Sequence, residues 1–227
     1  MNETKTNPLL HQTGAFLRLL GDLLVINLLW IICSLPVVTI GMASSAAYAV
    51  LLRRVMHGEI PLLKNWWNAI RKNFWQALAL EGILAVLGIA VWGDLQMVIS
   101  YNGVIRMVYV AACAMLTVSF MVVALFALPQ QALFENSLKN VLKNAFALAV
   151  CYPGKFLLCC LYWVAVVGSI LLLPLDVFQQ VGFLWFMWGL SFPAWLTSKV
   201  LISIFAKLDP SIKENEDKSY DTRRSKE

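Results

Sequence analysis

Four stretches of this chain stay apolar for the thickness of a bilayer. Phe74 to Gly93 contains one charge, Glu81. Met107 to Leu128 and Phe156 to Leu175 contain none, and Phe183 to Phe205 contains one, Lys199. A helix needs about 20 such residues to cross roughly 30 Å of hydrocarbon. Lipid offers the backbone no hydrogen bonds, so spanning segments are helices or closed barrels. Of the 227 residues, 60% are hydrophobic and 14% charged, against about 25% charged in an ordinary soluble domain. Such a chain has too little polar surface to cover itself in water and reads as an integral membrane protein.

The net charge of +5 is distributed in blocks. Arg53, Arg54, Lys64, Arg71 and Lys72 form one cluster, and Lys139, Lys143 and Lys155 a second. Lys207, Lys213, Lys218, Arg223, Arg224 and Lys226 form a third. The connections around Asp94 to Arg106 and around Asp176 are poor in basic residues. This alternation is the positive-inside pattern, so the basic clusters and both termini are expected in the cytoplasm of a cell membrane. The start, "MNETKTNPLLHQTGAFLRLLGD", lacks the basic start, short apolar core and A-x-A site of a signal peptide. The expected layout is one transmembrane domain over 1–206 and a charged, disordered cytoplasmic tail over 207–227.

The stretch "DLLVINLLWIICSLPVVTIGMASSAAYAVLLRRV" from Asp22 must deliver the chain to the basic side at Arg53. One helix from Leu17 to Leu52 would be about 54 Å long, well beyond the bilayer. Pro36 removes a helix hydrogen bond and biases the residue before it away from helix. Thr39 is positioned to cap the helix that follows, and Gly41 can take positive φ at a turn. The small residues Ala43 to Ala47 allow a close-packed return. The expectation is a hairpin turning at Pro36 to Gly41, with segments at about 17–35, 42–56, 74–93, 107–128, 156–175 and 183–205. A single span, giving five segments, and a re-entrant second arm are the alternatives.

Two segments have the spacing of amphipathic helices at the membrane interface. "LLKNWWNAIRKNFW" puts Leu63, Trp67, Ile70 and Phe74 on one face. "LFENSLKNVLKNAF" does the same with Phe134, Leu138, Val141, Leu142 and Ala145. The plainer alternative is that they are the ends of spanning helices. Asn65 to Asn73 also aligns with Asn136 to Asn144, hinting at a repeat of amphipathic helix plus membrane segment.

Charges inside a bilayer are costly and need partners. Glu81 and Lys199 each sit about eight residues from the cytoplasmic end of their runs, about 12 Å deep, so they are expected to pair. Asp22 and Asn27 fall in the same half and would complete a polar layer. That layer either glues helices or lines a substrate or ion path; otherwise Lys199 snorkels to the headgroups. Catalytic arrangements are absent, and no metal or cofactor site is expected: His11 and His57 lack companions at ligand spacing, and no phosphate loop or nucleophile elbow occurs. The five cysteines, Cys33, Cys113, Cys151, Cys159 and Cys160, contain no C-x-x-C and read as small buried hydrophobes. Nucleic acid is not an expected partner, since no basic soluble face exists to bind it.

The order of features resembles the YesL-like family of bacterial integral membrane proteins, catalogued as domain of unknown function 624. The matching residues are Gly21, Asp22, Asn27, Leu28, Trp30, Leu35, Pro36, Thr39, Gly41, Ala47 and Tyr48, then Asn144, Ala145 and Phe146. Met42 stands where the family often has Pro. The resemblance covers nearly all the chain except the tail and is strongest in the first third. It implies a membrane accessory of carbohydrate (plant polysaccharide) uptake or utilisation, with sugar-transporter permease subunits as partners beside the lipid bilayer. The exposed features that could dock such a partner are Trp66 and Trp67, and Phe134 to Phe146. The expected fold is all-α, a polytopic helical membrane bundle of about six membrane segments with cytoplasmic interfacial helices. A helper subunit and an autonomous small-molecule transporter or channel using the polar layer are the two functions in view.

Overall fold

A computed structural model describes residues 8–134, 136–172 and 174–208. The described residues are almost entirely helical, with no strand among them. The helices are α1 Pro8–Cys33, α2 Ile40–His57, α3 Leu62–Ser100, α4 Gly103–Val122, α5 Leu128–Leu133, α6 Leu138–Cys151, α7 Pro153–Leu172, α8 Leu175–Trp188 and α9 Ser191–Leu208. The expected tail lies outside the described residues from 209 onward.

Proline sets most of the boundaries. Pro36 ends the turn after α1, Pro153 starts α7 and Pro174 precedes α8, each where its missing N–H is harmless. Between α4 and α5 the chain makes a π-helical turn, Val123–Ala127. Pro129, just beyond it, cannot donate to the preceding turn and clashes with a regular α-helical carbonyl; the wider turn takes up that misfit.

Four helical stretches are long and apolar enough to cross a membrane: Thr13–Cys33, Leu62–Ser100, Gly103–Leu133 and Pro153–Leu172. Gly182–Trp188 and Ser191–Leu208, bent by 45°, make a fifth if counted as one span. Large apolar side chains face outward along them, among them Trp75, Val86, Ile89, Met115, Leu161 and Leu171. An outer surface this apolar is made for lipid: the protein is an α-helical membrane bundle.

The expected sixth segment, α2, is helical but is not among these spans. It packs against α1, α3, α5 and α9, and every residue from Ala43 to Leu52 is buried. A helix sheathed by protein does not need the uniformly apolar surface that lipid demands. Its small residues instead admit its neighbours closely. The hairpin over α1 and α2 forms as expected, but two parts of its turn differ. Gly41 is helical; among the described residues positive φ occurs at Gly58 and Gly103. Its lack of a side chain serves packing, since a Cβ there would lie 2.6 Å from Glu81 Cβ and 3.2 Å from the Ala77 carbonyl. Thr39 stands at the N-cap of α2, but its side chain makes no capping bond there. Its hydroxyl lies 2.6 Å from the Cys33 carbonyl and 2.7 Å from that of Pro36, closing the end of α1 in a turn whose Leu35, Val37 and Val38 are exposed. In lipid, carbonyls at such a tip need an internal donor.

The amphipathic segments part company. Leu63 to Phe74 is the first part of α3, whose 39 residues run unbroken for about 58 Å. Leu138 to Cys151 is a separate helix, α6, with Val141, Ala145 and Leu148 buried and Lys139, Asn140 and Lys143 exposed. Phe134 precedes α6 in extended backbone, so it does not share that helix face.

Candidate functional site

The polar residues inside the bundle fall into three settings. Near the open end of the first hairpin, Arg54 Nε donates to Asp22 Oδ2 at 2.7 Å. Charge-assisted bonds of this kind are the strong ones, and this one ties α1 to α2. Nearer the turn, Trp30 Nε1 donates to Ser44 Oγ at 3.2 Å, and the Trp30 ring meets those of Tyr48 and Trp163 edge-on.

Asn27 occupies the second setting. It is fully buried and faces the break between α8 and α9. Its Nδ2 donates to the Phe186 carbonyl at 2.7 Å, and its Oδ1 accepts from the Leu190 and Ser191 amides, each at 3.0 Å. A broken helix exposes backbone groups that hydrocarbon cannot satisfy; one amide side chain from α1 satisfies three of them. Trp188 Nε1 adds a bond to the Leu20 carbonyl at 2.9 Å. Gly189 stands at the break, where a Cβ would run into the Trp185 ring and carbonyl.

Glu81 is the third setting. It lies midway along α3, against Gly41, and its Oε2 is buried without a hydrogen-bond partner. The expected pair with Lys199 does not form. Lys199 is exposed, with Nζ 3.8 Å from the centroid of the Trp195 ring, a close cation–π contact. Direction around a helix was not readable from the spacing. The buried face of α9 runs through Ala194, Thr197, Ser198, Leu201 and Ile202, which turns Lys199 outward. Moreover α2 packs against both α3 and α9. The structure therefore brings Asp22 to Arg54 and Asn27 to α8–α9, and keeps Glu81 and Lys199 apart.

Of the expected docking residues, Trp67 and Phe146 are exposed, and Trp67 carries Arg71 5.4 Å from its ring centroid. Trp66 is buried, on the inner face of α3 with Ala69. Phe134 packs edge-on against Phe205, with centroids 5.3 Å apart. Residues that sequence reasoning passed over include Gln130 and Gln131, both buried. Gln131 Nε2 reaches the Asn73 carbonyl at 3.3 Å, and Gln76 Nε2 reaches the Asn136 carbonyl at 2.8 Å, lacing α3 to the α5–α6 junction. The signal was present as two adjacent amides at the end of an uncharged run. Among the described residues no group of three or more His, Cys, Asp or Glu side chains could hold a metal ion.

Residues 23–95 match a family described as "Protein of unknown function, DUF624", in agreement with the resemblance read over the first hairpin; Asn144, Ala145 and Phe146 lie outside the matched residues. No curated protein and no solved structure matches the chain.

Proposed function

We propose, from the DUF624 match over residues 23–95 and from the geometry at Asn27, that this is a non-enzymatic accessory subunit of a bacterial plasma-membrane complex. Its expected context is carbohydrate uptake, as a helper of sugar-transporter permease subunits, with both termini cytoplasmic. The carbohydrate context rests on family resemblance alone. The observation that carries the helper reading is the occupied helix break. Transporters that use broken helices leave the half-helix amides free for substrate. Here the Leu190 and Ser191 amides are filled by Asn27 of the same chain. The exposed Trp67–Arg71 pair and Phe146 then offer docking features beside the apolar surface.

The test is recovery of a tagged copy from its native membrane in mild detergent, during growth on plant polysaccharide. Stoichiometric permease subunits are expected with it, and their loss is expected in a Trp67→Ala/Phe146→Ala variant. Recovery of the protein alone would overturn the helper reading. One observation favours the second reading, an autonomous transporter or channel: the unpartnered buried Glu81 Oε2, since intramembrane carboxylates commonly mark ion or substrate paths. Reconstituted flux that is abolished by Glu81→Gln would support it.

A further inference from the structure

Helices α5, α6 and α9 leave a cavity of about 460 Å³ at the basic end of the bundle, lined by Gln130, Phe134, Asn144, Leu148, Tyr152 and Phe205 among others. That volume suits a small ligand or one chain of a larger one. Gln130 is only 3% exposed, and its Nε2 has no acceptor. An unsatisfied buried donor is costly in a finished structure and reads as a contact awaiting a ligand. Tyr152 lines the same cavity, and two ammonium groups flank its ring: Lys155 Nζ lies 5.9 Å and Lys207 Nζ 5.8 Å from the centroid. Lys155 also donates to Ser203 Oγ at 2.5 Å. Neither lysine forms an ion pair with a carboxylate among the described residues. Two cations gathered on one ring, with no carboxylate paired to either among the described residues, attract an anion.

The neighbourhood says which anion. Most of the remaining wall, Phe134, Ala147, Leu148, Phe205 and Leu208, is apolar, with Asn136 and Asn144 as further polar members, and the lysines stand at the first turn of one apolar helix and the last turn of another. We infer that this is a binding site for one anionic phospholipid. Its phosphate lies between Lys155 and Lys207, an acyl chain follows Phe134 and Phe205, and Gln130 Nε2 donates to an ester carbonyl. Basic pockets between helices at the membrane surface bind anionic headgroups in this manner. The inference does not depend on the helper reading.

The experiment uses the full chain in mild detergent, titrated with short-chain phosphatidylglycerol, and counts bound lipid by native mass spectrometry. Phosphatidylcholine of the same chain length and inorganic phosphate are the comparators. One phosphatidylglycerol is expected per chain. The Lys155→Ala/Lys207→Ala variant should bind it about 30-fold more weakly, at roughly 1 kcal/mol per lysine near the headgroups. Lys155→Arg/Lys207→Arg should retain it, which separates lost charge from lost fold. Ala147→Trp, at an exposed cavity-wall position, should weaken it through the acyl chain. Equal binding of the two lipids, or unchanged affinity in the double Ala variant, would overturn the site. Displacement of the lipid by equimolar inorganic phosphate would overturn the lipid assignment in favour of a free-anion site.

Discussion

Helix α3 and the pair α6–α7 begin alike and end differently. Each opens on an amphipathic segment rich in Asn and Lys and runs on into an apolar span. Leu62–Ser100 contains no proline and stays one helix of 39 residues. Pro153 stops α6 at Cys151 and starts α7, and Tyr152 between them leaves the helical region, with φ −128° and ψ 58°. The in-line segment becomes a packing face: Trp66 and Ala69 are buried, and α2 lies against it. The broken one is freed to turn aside, and with α5 and α9 it walls a cavity. One residue converts a strut into a pocket.

The largest effect is expected where the unbroken helix is gripped. Gly41→Val would drive two methyl groups into Glu81 and the Ala77 carbonyl. Overpacking of a tight contact costs about 1–3 kcal/mol or more, so thermal stability in detergent should fall sharply. An unchanged melting temperature would show that α3 is not held at this point. Next comes the other broken element. Asn27→Leu strands two amides and a carbonyl at the α8–α9 break. Membrane hydrogen bonds average about 0.6 kcal/mol each, so a loss of about 2 kcal/mol is expected. Asn27→Asp would keep the two acceptor bonds and should recover part of it.

Pro153→Ala sharpens the comparison directly. Restoring an amide at that position lets α6 and α7 join, at a change in stability of about 1 kcal/mol or less. The expected readout is closure of the cavity, seen as slower labelling of Cys151, which lines it. The smallest structural effect is expected from Trp67→Ala. It removes an exposed ring and its contact with Arg71, worth about 0.5–1 kcal/mol at such a site. Stability should hardly move, while partner recovery should.

Much of this was legible in the residues. Apolar runs fell within the long helices, and Pro36 located the first turn. The family resemblance over the first hairpin coincides with the region that matches a family. What escaped was azimuth. Glu81 and Lys199 are held on α3 and α9, and α2 packs against both of these helices. Trp66 and Trp67 are neighbours in sequence, yet one is buried and the other exposed, because successive helical residues differ by about 100°. The small residues Ala43 to Ala47 marked α2 as a close-packed return, but not that α1, α3, α5 and α9 all pack against it, since a window over one segment cannot report what sheathes it.

The three bonds of Asn27 also impose an order in time. Its carbonyl partner at Phe186 is 159 residues later in the chain, and its amide partners are 163 and 164 residues later. At about 5–20 residues per second, roughly 8–32 s of synthesis separate the side chain from the groups that satisfy it. Through that interval α1 carries an unmet amide, and only the arrival of the α8–α9 break relieves it.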